Sequence, residues 1–260
     1  MMGIIMRLTQ DWIDRYDEQG FLVFPALLDA AELEVIDGAI PDLLARDGDD
    51  VVREDHDPSI VRMVFGAHFH HDVFARLARH PRLVTPSEQL VRDRVHIYQS
   101  RLNAKSSFGG SGWAWHQDFN QWYRQDGMMR PQTVVVGIYL DDVNPCNGPL
   151  MIIGGSHRHG HFHNPDGMEI DEEIVAALAA EGGIEPVMGP PGTVVFFDAL
   201  AVHGSAPNIS PWPRRIFYLN YNAVSNRQIL PLRAAHRCSV DLTPVSALAD
   251  DCLLRREASA

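Results

Sequence analysis

Three residues of this sequence have the types and the spacing expected of ligands to a single metal ion. His116 and Asp118 are separated by one residue in the stretch WAWHQDFN, and on a β-strand they would project from the same face. His203 follows directly after the apolar segment TVVFFDALAV. Two histidines and one carboxylate on one face of an octahedral ion leave three positions open, which is the ligand set of non-haem Fe(II) oxygenases. We therefore predict an iron site at these three residues.

Each part of this set also has a plainer interpretation. A His-x-Asp pair occurs often by chance, and a short motif of this kind discriminates poorly by itself. A histidine at the end of a buried strand, such as His203, can also be an ordinary core residue. The metal interpretation therefore depends on the three side chains meeting in the fold.

A cation and a hydroxyl near His203 could bind the carboxylate of a cosubstrate. Oxygenases with this ligand set commonly bind 2-oxoglutarate, whose keto acid chelates the iron while its distal carboxylate needs a cation. Arg214 begins the apolar run RRIFYLNYN, and a strand antiparallel to that of His203 would return its guanidinium for a bidentate contact. Ser205 could donate a hydroxyl to the same carboxylate, whereas Arg215 would point to the opposite face. The alternative interpretation is that Arg214 is an ordinary surface arginine with no role in binding a cosubstrate.

Three motifs taken together resemble the phytanoyl-CoA dioxygenase family of Fe(II)/2-oxoglutarate oxygenases. They are WHQDFNQWYRQDGM (115–128), NGPLMIIGGSHR (147–158) and HGSAPNISPWPRR (203–215). The resemblance covers roughly residues 10–228. Within the family, the sequence resembles more narrowly the bacterial branch that contains ectoine hydroxylase and the free proline and leucine hydroxylases. It implies a double-stranded β-helix, or jelly roll, fold. It also implies the roles already considered, with the metal ligands and the 2-oxoglutarate arginine at His116, Asp118, His203 and Arg214.

The resemblance assigns further roles around the metal motif. Gln99, Arg101 and Asn103 alternate along the stretch YQSRLNAK and share one face of a strand by period two. In this branch such positions contact cosubstrate or substrate, so Gln99 and Asn103 are expected to bind 2-oxoglutarate and Gln99 and Arg101 the substrate. Arg101 suits a substrate carboxylate. Trp122 matches an aromatic residue beside the substrate, with ordinary core packing as the alternative.

The carboxylate ligand distinguishes two kinds of chemistry among such relatives. Related halogenases carry Gly or Ala at this position, which makes room for chloride on the metal. The position here is Asp118, so the resemblance implies hydroxylation instead of halogenation.

The N-terminal third is predicted to be largely helical. Helices are expected over residues 9–19 and 29–46, and Pro41 is expected to break or kink the second. Residues 21–25 (FLVFP) between them are predicted as a buried strand, and residues 47–57 as a charged loop. The expected caps are Thr9 and Gly20 for the first helix and Asp29 for the second.

From about residue 94 the sequence consists of short runs rich in Val, Ile, Phe and Tyr, separated by Gly, Pro and Asn. This pattern is typical of an all-β sandwich or barrel. One helix interrupts it at residues 171–183, with Asp171 as cap and Gly182 as stop. We therefore predict a mostly β fold with a jelly-roll, cupin-like core and N-terminal helices packed on it. It is expected to be one domain, divided into a helical part (about 1–93), a core (about 94–228) and a C-terminal extension (229–260).

The bulk composition restricts the partners. The net charge is −12 and no basic run appears, which argues against nucleic acid or an anionic membrane as a partner. No apolar run approaches the ~20 residues needed to cross a bilayer. The three cysteines are far apart and fit a reducing cytosol better than a disulfide framework. We predict a cytoplasmic protein, monomeric or homodimeric, that binds a small molecule.

Several residues with chemical potential are not assigned to the site. The tract HRHGHFH (157–163) is expected at a solvated hairpin edge, because His-rich tracts are only a compositional indication of metal binding. His68, His70 and His71 precede a helix-like segment and could lie at the mouth of the site. Cys146 has no base beside it in sequence and is expected to be a buried or loop thiol.

We therefore predict a dioxygenase that uses Fe(II), 2-oxoglutarate and O₂ to hydroxylate an unactivated C–H bond, with release of succinate and CO₂. The expected substrate is a small amino acid or an amino-acid-derived ring. The alternative is a larger natural-product intermediate of secondary metabolism, such as a cyclic dipeptide or polyketide, or desaturation or ring closure by the same chemistry. A non-catalytic jelly-roll binding protein is the third hypothesis, and the complete metal set with Arg214 argues against it.

Overall fold

The computed structural model describes residues 7–229 and 233–255, so the ends of the predicted domain at 1–6 and 256–260 lie outside the described residues. The strands are β1 (Phe21–Phe24), β2 (Val51–Arg53), β3 (Val61–Phe65), β4 (Val95–Lys105), β5 (Trp113–His116), β6 (Thr133–Tyr139), β7 (Leu150–Ile153), β8 (Ile184–Val187), β9 (Val194–Asp198), β10 (His203–Ser205) and β11 (Arg214–Ala223). The α-helices are α1 (Gln10–Gln19), α2 (Ala30–Leu44), α3 (Ala67–His70), α4 (Asp72–Leu77), α5 (Pro81–Val91), α6 (Asp118–Asp126) and α7 (Glu172–Gly182).

Two antiparallel sheets form the body of the protein. The larger has seven strands in the order β1-β9-β6-β11-β4-β3-β2, and the smaller has four in the order β5-β10-β7-β8. Neighbouring strands in each sheet are mostly distant in sequence, as expected when a chain winds between two sheets. The prediction of a mostly β jelly-roll core with N-terminal helices is confirmed.

Strand β6 shows why the strands of the larger sheet have continuously apolar sequences. Its residues Val134, Val136 and Ile138 pack outward against the N-terminal helices, in a core that includes Ile36 of α2. The intervening Val135 belongs to the core between the two sheets. Because successive side chains of a strand point to opposite faces, a strand buried on both faces has no polar alternation.

The second helix begins at a complete capping box. The Asp29 side chain accepts from the Glu32 backbone N–H, and the Glu32 side chain accepts from the Asp29 backbone N–H. The expected break at Pro41 is wrong, since α2 continues to Leu44. Pro41 removes only the hydrogen bond to the carbonyl of Asp37, four residues earlier, and only one turn of helix follows it.

Two predictions about the first strands need correction. β1 is an edge strand of the larger sheet and only Leu22 is buried in it, so residues 21–25 are not a fully buried strand. The charged segment 47–57 contains β2, which pairs with β3 and extends the opposite edge of the same sheet. Two consecutive valines, Val51 and Val52, are too few to predict a strand from sequence. Their pairing with β3 is what makes this segment a strand.

The other two predicted helices form at the expected places. α1 ends where Gly20 adopts the left-handed conformation (φ 80°) and donates its N–H to the carbonyl of Tyr16. α7 runs from Glu172 to Gly182, within the expected range 171–183, and its C-cap is Gly183 where Gly182 was expected as the stop. Neither Thr9 nor Asp171 makes a side-chain capping hydrogen bond.

In the described ranges, no helix combines the length and apolar character required to cross a bilayer.

The C-terminal extension packs along the core. The backbone N–H of Ser239 donates to the carbonyl of Tyr98, and the N–H of Val245 donates to the carbonyl of Val95. Both acceptors belong to β4, the strand that also carries Gln99, Arg101 and Asn103. The extension therefore lies beside the strand predicted to face the site.

Candidate active site

The two histidines of the predicted metal set meet because their strands are paired. His116 is the last residue of β5 and His203 the first of β10, and the two are direct partners in the antiparallel ladder. Their ring centroids are 4.2 Å apart. Asp118 joins them, and one ligand atom from each of the three residues lies within 4.8 Å of the others. All three residues are buried.

Asp118 reaches this position by a different route from the one predicted. β5 ends at His116, Gln117 is extended (φ −113°, ψ 127°), and Asp118 is the first residue of α6, so the prediction that both ligands project from one strand is wrong. The Gln117 amide fixes the turn, because it donates to the carbonyls of Gly160 and Leu200. A strand-to-helix junction therefore brings the carboxylate beside the imidazole.

Both imidazoles are oriented by backbone carbonyls. His116 Nδ1 lies 2.7 Å from the carbonyl of Ala114, and His203 Nδ1 lies 2.9 Å from the carbonyl of Ala201. A carbonyl can only accept, so Nδ1 carries the proton and Nε2 is left as a ligand atom on each ring. Burial, followed by the charge of His116, lowers the pKa of His203 to about 3, so this ring is neutral at pH 7. These are the protonation states that a metal requires.

The two oxygens of Asp118 have different neighbours. Oδ1 lies 3.7 Å from His116 Nε2, whereas Oδ2 accepts a hydrogen bond from Arg101 Nη2 at 3.1 Å. Burial raises the pKa of the Asp118 carboxyl, but the Arg101 charge and both histidines lower it by more, so the pKa stays well below its usual range. Asp118 is therefore an anion with one oxygen turned to the histidines. The donor set fits a divalent iron ion.

A cavity of about 140 Å³ opens in front of these three side chains, between the two sheets. Every predicted metal, cosubstrate and substrate residue except Trp122 lines it. They are Gln99, Arg101, Asn103, His116, Asp118, His203, Ser205 and Arg214. The prediction that Gln99, Arg101 and Asn103 share one face of a strand is confirmed. Asn103 Oδ1 is buried and has no hydrogen-bond partner among the described residues.

Arg214 is a buried guanidinium at one end of the cavity, 2 % exposed. Its Nε and Nη2 both donate to the carbonyl of Gly148, at 3.1 and 2.7 Å, which leaves Nη1 for another acceptor. The strands of His203 and Arg214 lie in different sheets, so the predicted pairing between them is wrong. The guanidinium and Ser205 nevertheless line the same cavity. Arg215 points the other way, as predicted, and it pairs with Asp141.

Trp122 does not lie on the cavity wall. It is on α6, only 1 % exposed, and packs edge-on against Tyr98 with ring centroids 5.3 Å apart. The structure therefore favours the alternative of core packing over the position beside a substrate. Trp122 lies one turn along α6 from Asp118 and on the same side of the helix, but its ring packs against Tyr98 in the core and does not line the cavity.

Among the cavity residues that sequence reasoning missed, two are charged, Arg233 and Arg237 of the C-terminal extension. Arg233 forms a buried ion pair with Asp126, whose carboxylate also accepts from the Tyr98 hydroxyl. The Arg237 guanidinium stacks 4.8 Å from the Phe65 ring centroid, and its backbone carbonyl accepts from the Gln99 amide. The extension has no strand or helix pattern, so no local signal pointed to it.

The remaining clusters stay outside the site. Within the described ranges, the only group with metal-ligand geometry is the set of His116, Asp118 and His203. The tract 157–163 does not form a hairpin edge: it contains a 3₁₀ helix, Ser156–His159, followed by irregular chain. His68 bonds the Ser100 hydroxyl (2.6 Å) and is not part of the cavity lining. The thiol of Cys146 is exposed.

Comparison with known proteins identifies relatives over most of the chain. The profile of the phytanoyl-CoA dioxygenase (PhyH) family matches residues 16–216. The ectoine dioxygenase of Sphingopyxis alaskensis is 39% identical over 230 residues, which are 82% of this chain and 75% of the relative. The L-proline trans-4-hydroxylase of Streptomyces griseoviridis is 34% identical over 249 residues, 89% of this chain and 92% of the relative.

Solved structures show the same architecture. EctD from S. alaskensis with bound Fe superposes with a TM-score of 0.84 at 36% identity, over 93% of this chain and 87% of that one. The same protein with 2-oxoglutarate and 5-hydroxyectoine gives a TM-score of 0.85 at 35% identity, over the same shares of both chains.

Proposed function

Because this chain belongs to the phytanoyl-CoA dioxygenase family of Fe(II)- and 2-oxoglutarate-dependent oxygenases, we propose that it hydroxylates a small amino acid or an amino-acid-derived ring. One observation carries the proposal. Three buried metal-ligand side chains and the buried guanidinium of Arg214 line a single cavity. We propose that residues 1–260 act as one catalytic domain.

We propose that His116 Nε2, His203 Nε2 and Asp118 Oδ1 hold the iron. Together with 2-oxoglutarate and O₂, iron would supply the oxidant that converts a substrate C–H to C–OH, with succinate and CO₂ as coproducts. The chain's own contribution is geometric. Carbonyls orient both imidazoles, Arg101 holds one oxygen of Asp118, and burial excludes water from the three ligands.

The cosubstrate is proposed to lie towards Arg214. Its distal carboxylate would accept from the free side of the Arg214 guanidinium and from the Ser205 hydroxyl, in a buried setting where charge-assisted hydrogen bonds are strong. Asn103 lies on β4 between Lys105, the ladder partner of Arg214, and Arg101, which contacts Asp118, whereas Gln99, also proposed as a cosubstrate contact, lies beyond Arg101. The unpartnered Asn103 amide oxygen supports a role for that side chain in binding a ligand.

The substrate is proposed to lie on the other side of the metal ligands, towards the C-terminal extension. Arg237 faces the cavity and has no acidic partner among the described residues, so it suits a substrate carboxylate. Gln99 adjoins it through the Arg237 carbonyl. Arg101 lines the same wall, but two of its nitrogens are engaged by Gln99 and Asp118. Ectoine and L-proline are the compounds in the names of the two relatives, and each carries a carboxylate on a small ring.

The size of the cavity favours this substrate class over a larger natural product. A volume of about 140 Å³ has room for on the order of ten water-sized groups. Because 2-oxoglutarate would occupy part of this space, the scale favours a small metabolite over a polycyclic intermediate. We also propose a cytoplasmic enzyme, monomeric or homodimeric, in line with its acidic composition and three free cysteines.

The first experiment tests the cofactors. Fe(II) and 2-oxoglutarate are added without oxygen, and a weak visible charge-transfer band is expected. Arg214→Met is expected to lose the band at 2-oxoglutarate concentrations that saturate the parent protein. A folded parent protein without the band would contradict the cofactor assignment, and an unchanged band in the variant would contradict the role of Arg214.

The second experiment tests the substrate class. Ectoine, L-proline and related small cyclic amino acids are supplied with Fe(II), 2-oxoglutarate and air. Succinate formation coupled to a product heavier by one oxygen atom is expected for at least one of them. Loss of two hydrogens without oxygen gain would indicate desaturation, and no coupled succinate with any member would contradict the class.

A further inference from the structure

A second pocket reaches His116 from outside the cavity. It is an open cleft of about 510 Å³ between β5 and residues 164–169, here called the β5 cleft. Trp113, His116 and Met168 line both this cleft and the cavity, whereas Ala114 lines only the cleft. His116 Nδ1 lies 2.7 Å from the carbonyl of Ala114, which leaves Nε2 for the metal. One metal-ligand ring and two apolar side chains therefore form the wall between the two spaces.

The backbone on both sides of Met168 is fixed. The Gly167 carbonyl accepts from Asn120 Nδ2 and from Arg124 Nη1, both at 2.8 Å. Glu169, the next residue, forms an isolated bridge with the last residue of β5. Met168 itself is half-buried, and its unbranched side chain has three rotatable bonds. The width of the opening past Met168 can therefore change by rotation of the side chain, without movement of the backbone.

The two openings differ in charge. Four arginines line the cavity, and the only carboxylate among its described lining residues is the proposed metal ligand Asp118. The β5 cleft carries two carboxylates, Asp166 and Glu169, both exposed, and no arginine or lysine among its described lining residues. Cationic surroundings attract 2-oxoglutarate and a substrate carboxylate, and acidic surroundings repel them. The cleft therefore suits the reactant that carries no charge, which is O₂.

The size of the cavity also requires a separate route for O₂. A space of about 140 Å³ would hold both 2-oxoglutarate and the substrate, which leaves little room beside them. A substrate bound towards the C-terminal extension would close that side as well. Trp113 and Met168 at the shared wall are apolar. A small neutral molecule passes such side chains without the desolvation cost that an ion bears.

We propose that the β5 cleft is the route by which O₂ reaches the iron while both organic ligands occupy the cavity, and that the Met168 side chain sets its width. This inference rests on the proposed function, because it presupposes iron at His116, Asp118 and His203. Substitutions that narrow the cleft should slow the access of O₂ and leave the affinity for 2-oxoglutarate unchanged.

Nitric oxide tests this route without turnover, because it is a small neutral ligand of Fe(II) and takes the place of O₂. The Fe(II) protein is saturated with 2-oxoglutarate and with the cyclic amino acid that supports turnover, and is then mixed with nitric oxide without oxygen. Stopped-flow absorbance gives the association rate. Ala114→Phe narrows the cleft from a position outside the cavity, and Met168→Trp narrows it at the shared wall. Both are expected to slow association severalfold.

Ala177→Phe is the matched control, since it adds the same ring at an exposed position of α7 and is expected to leave the rate unchanged. The KM for O₂ in steady-state turnover is the second readout. It is expected to rise severalfold in both cleft variants, with the KM for 2-oxoglutarate at the parent value.

Two results would overturn the proposal. Parent association rates in the cleft variants would show that O₂ enters elsewhere. A loss of 2-oxoglutarate affinity parallel to the slowing, measured by calorimetry on the Mn(II) protein, would show that the substitutions altered the cavity itself. Ala114→Phe decides the outcome if Met168→Trp does not fold or if the two variants disagree. Absence of turnover with every cyclic amino acid would overturn the proposed function, and this inference with it.

Discussion

Arg101 Nη2 donates to Asp118 Oδ2 at 3.1 Å, so a residue of the larger sheet holds the metal-ligand carboxylate carried by α6. Arg101 Nη1 also donates to Gln99 Oε1, and the Gln99 amide donates to the carbonyl of Arg237. A continuous set of hydrogen bonds therefore connects the C-terminal extension with a ligand of the proposed iron. The guanidinium is further held 5.0 Å from the Tyr218 ring centroid.

Arg101→Met should weaken metal binding. Without Arg101 the Asp118 carboxylate loses its orienting partner, and changes of this kind typically cost about 10- to 100-fold in metal affinity. Mn(II) titration followed by electron paramagnetic resonance measures the effect. Arg237→Met is the matched control, since it removes another cavity arginine that does not touch Asp118. Equal metal affinity in the two variants would contradict the orienting role.

Trp122→Phe distinguishes core packing from a substrate contact. Phenylalanine retains an aromatic ring against Tyr98, so we expect a modest loss of stability and an unchanged KM. Trp122→Ala should cost about 3–5 kcal/mol in the free energy of unfolding, because it leaves a large cavity. Denaturant unfolding and steady-state kinetics provide the two readouts. A KM raised severalfold in Trp122→Phe with stability intact would restore the substrate contact.

Asp126→Asn should loosen the C-terminal extension. The Asp126 carboxylate is fully buried and binds both Arg233 and the Tyr98 hydroxyl. Removing its charge leaves Arg233 without its anion, and breaking a buried pair typically costs about 3–5 kcal/mol. We expect faster hydrogen exchange in residues 233–239 and a raised KM for substrate.

The exposed pair of Asp17 and Arg92 provides the control for that experiment. Asp17→Asn removes an equal charge at the surface, where ion pairs contribute little. It should leave exchange in residues 233–239 unchanged. The same exchange rate in both variants would show that Asp126 does not anchor the extension.

Asp198→Asn should stabilise the protein at neutral and alkaline pH but not at pH 4. Burial raises the pKa of Asp198 to about 6, so between the unfolded pKa and this value the folded state binds more protons. Its contribution to stability therefore falls as pH rises from about 4 to about 6. Asparagine retains the acceptor for the Leu200 N–H without the charge. We expect a gain of about 1–2 kcal/mol at pH 8 and none at pH 4, measured by denaturant unfolding. An equal gain at both pH values would exclude titration as the cause.

The sequence predicts best what depends on local pattern. The strand Val95–Lys105 was expected from its β-branched residues, and its period-two face does line the cavity. The metal set was predicted from residue type and spacing together with the family resemblance, and the three side chains do meet in the fold. α2 was predicted from Asp29, whose capping bonds lie within one turn of helix.

The sequence predicts poorly what depends on packing between distant segments. Pairing of β10 with β5 could not be read from His203, because the partner strand lies far away in the chain. Nor could Arg233 and Arg237 be placed, since their position is set by Asp126, Phe65 and Gln99. Trp122 was misplaced because a resemblance transfers residue types, whereas the direction of the side chain depends on its packing, here against Tyr98.

The division of the cavity between core and extension has an evolutionary consequence. The proposed iron and 2-oxoglutarate residues all lie within 16–216, the part matched by the family profile, whereas Arg233 and Arg237 lie beyond it. The proposed substrate contact of Arg237 is thus encoded in a different stretch of the gene from the proposed iron and 2-oxoglutarate residues, whereas Gln99 and Arg101 lie with them. Under that proposal, substitutions in the extension change substrate contacts and leave the residues of the oxidative chemistry unaltered.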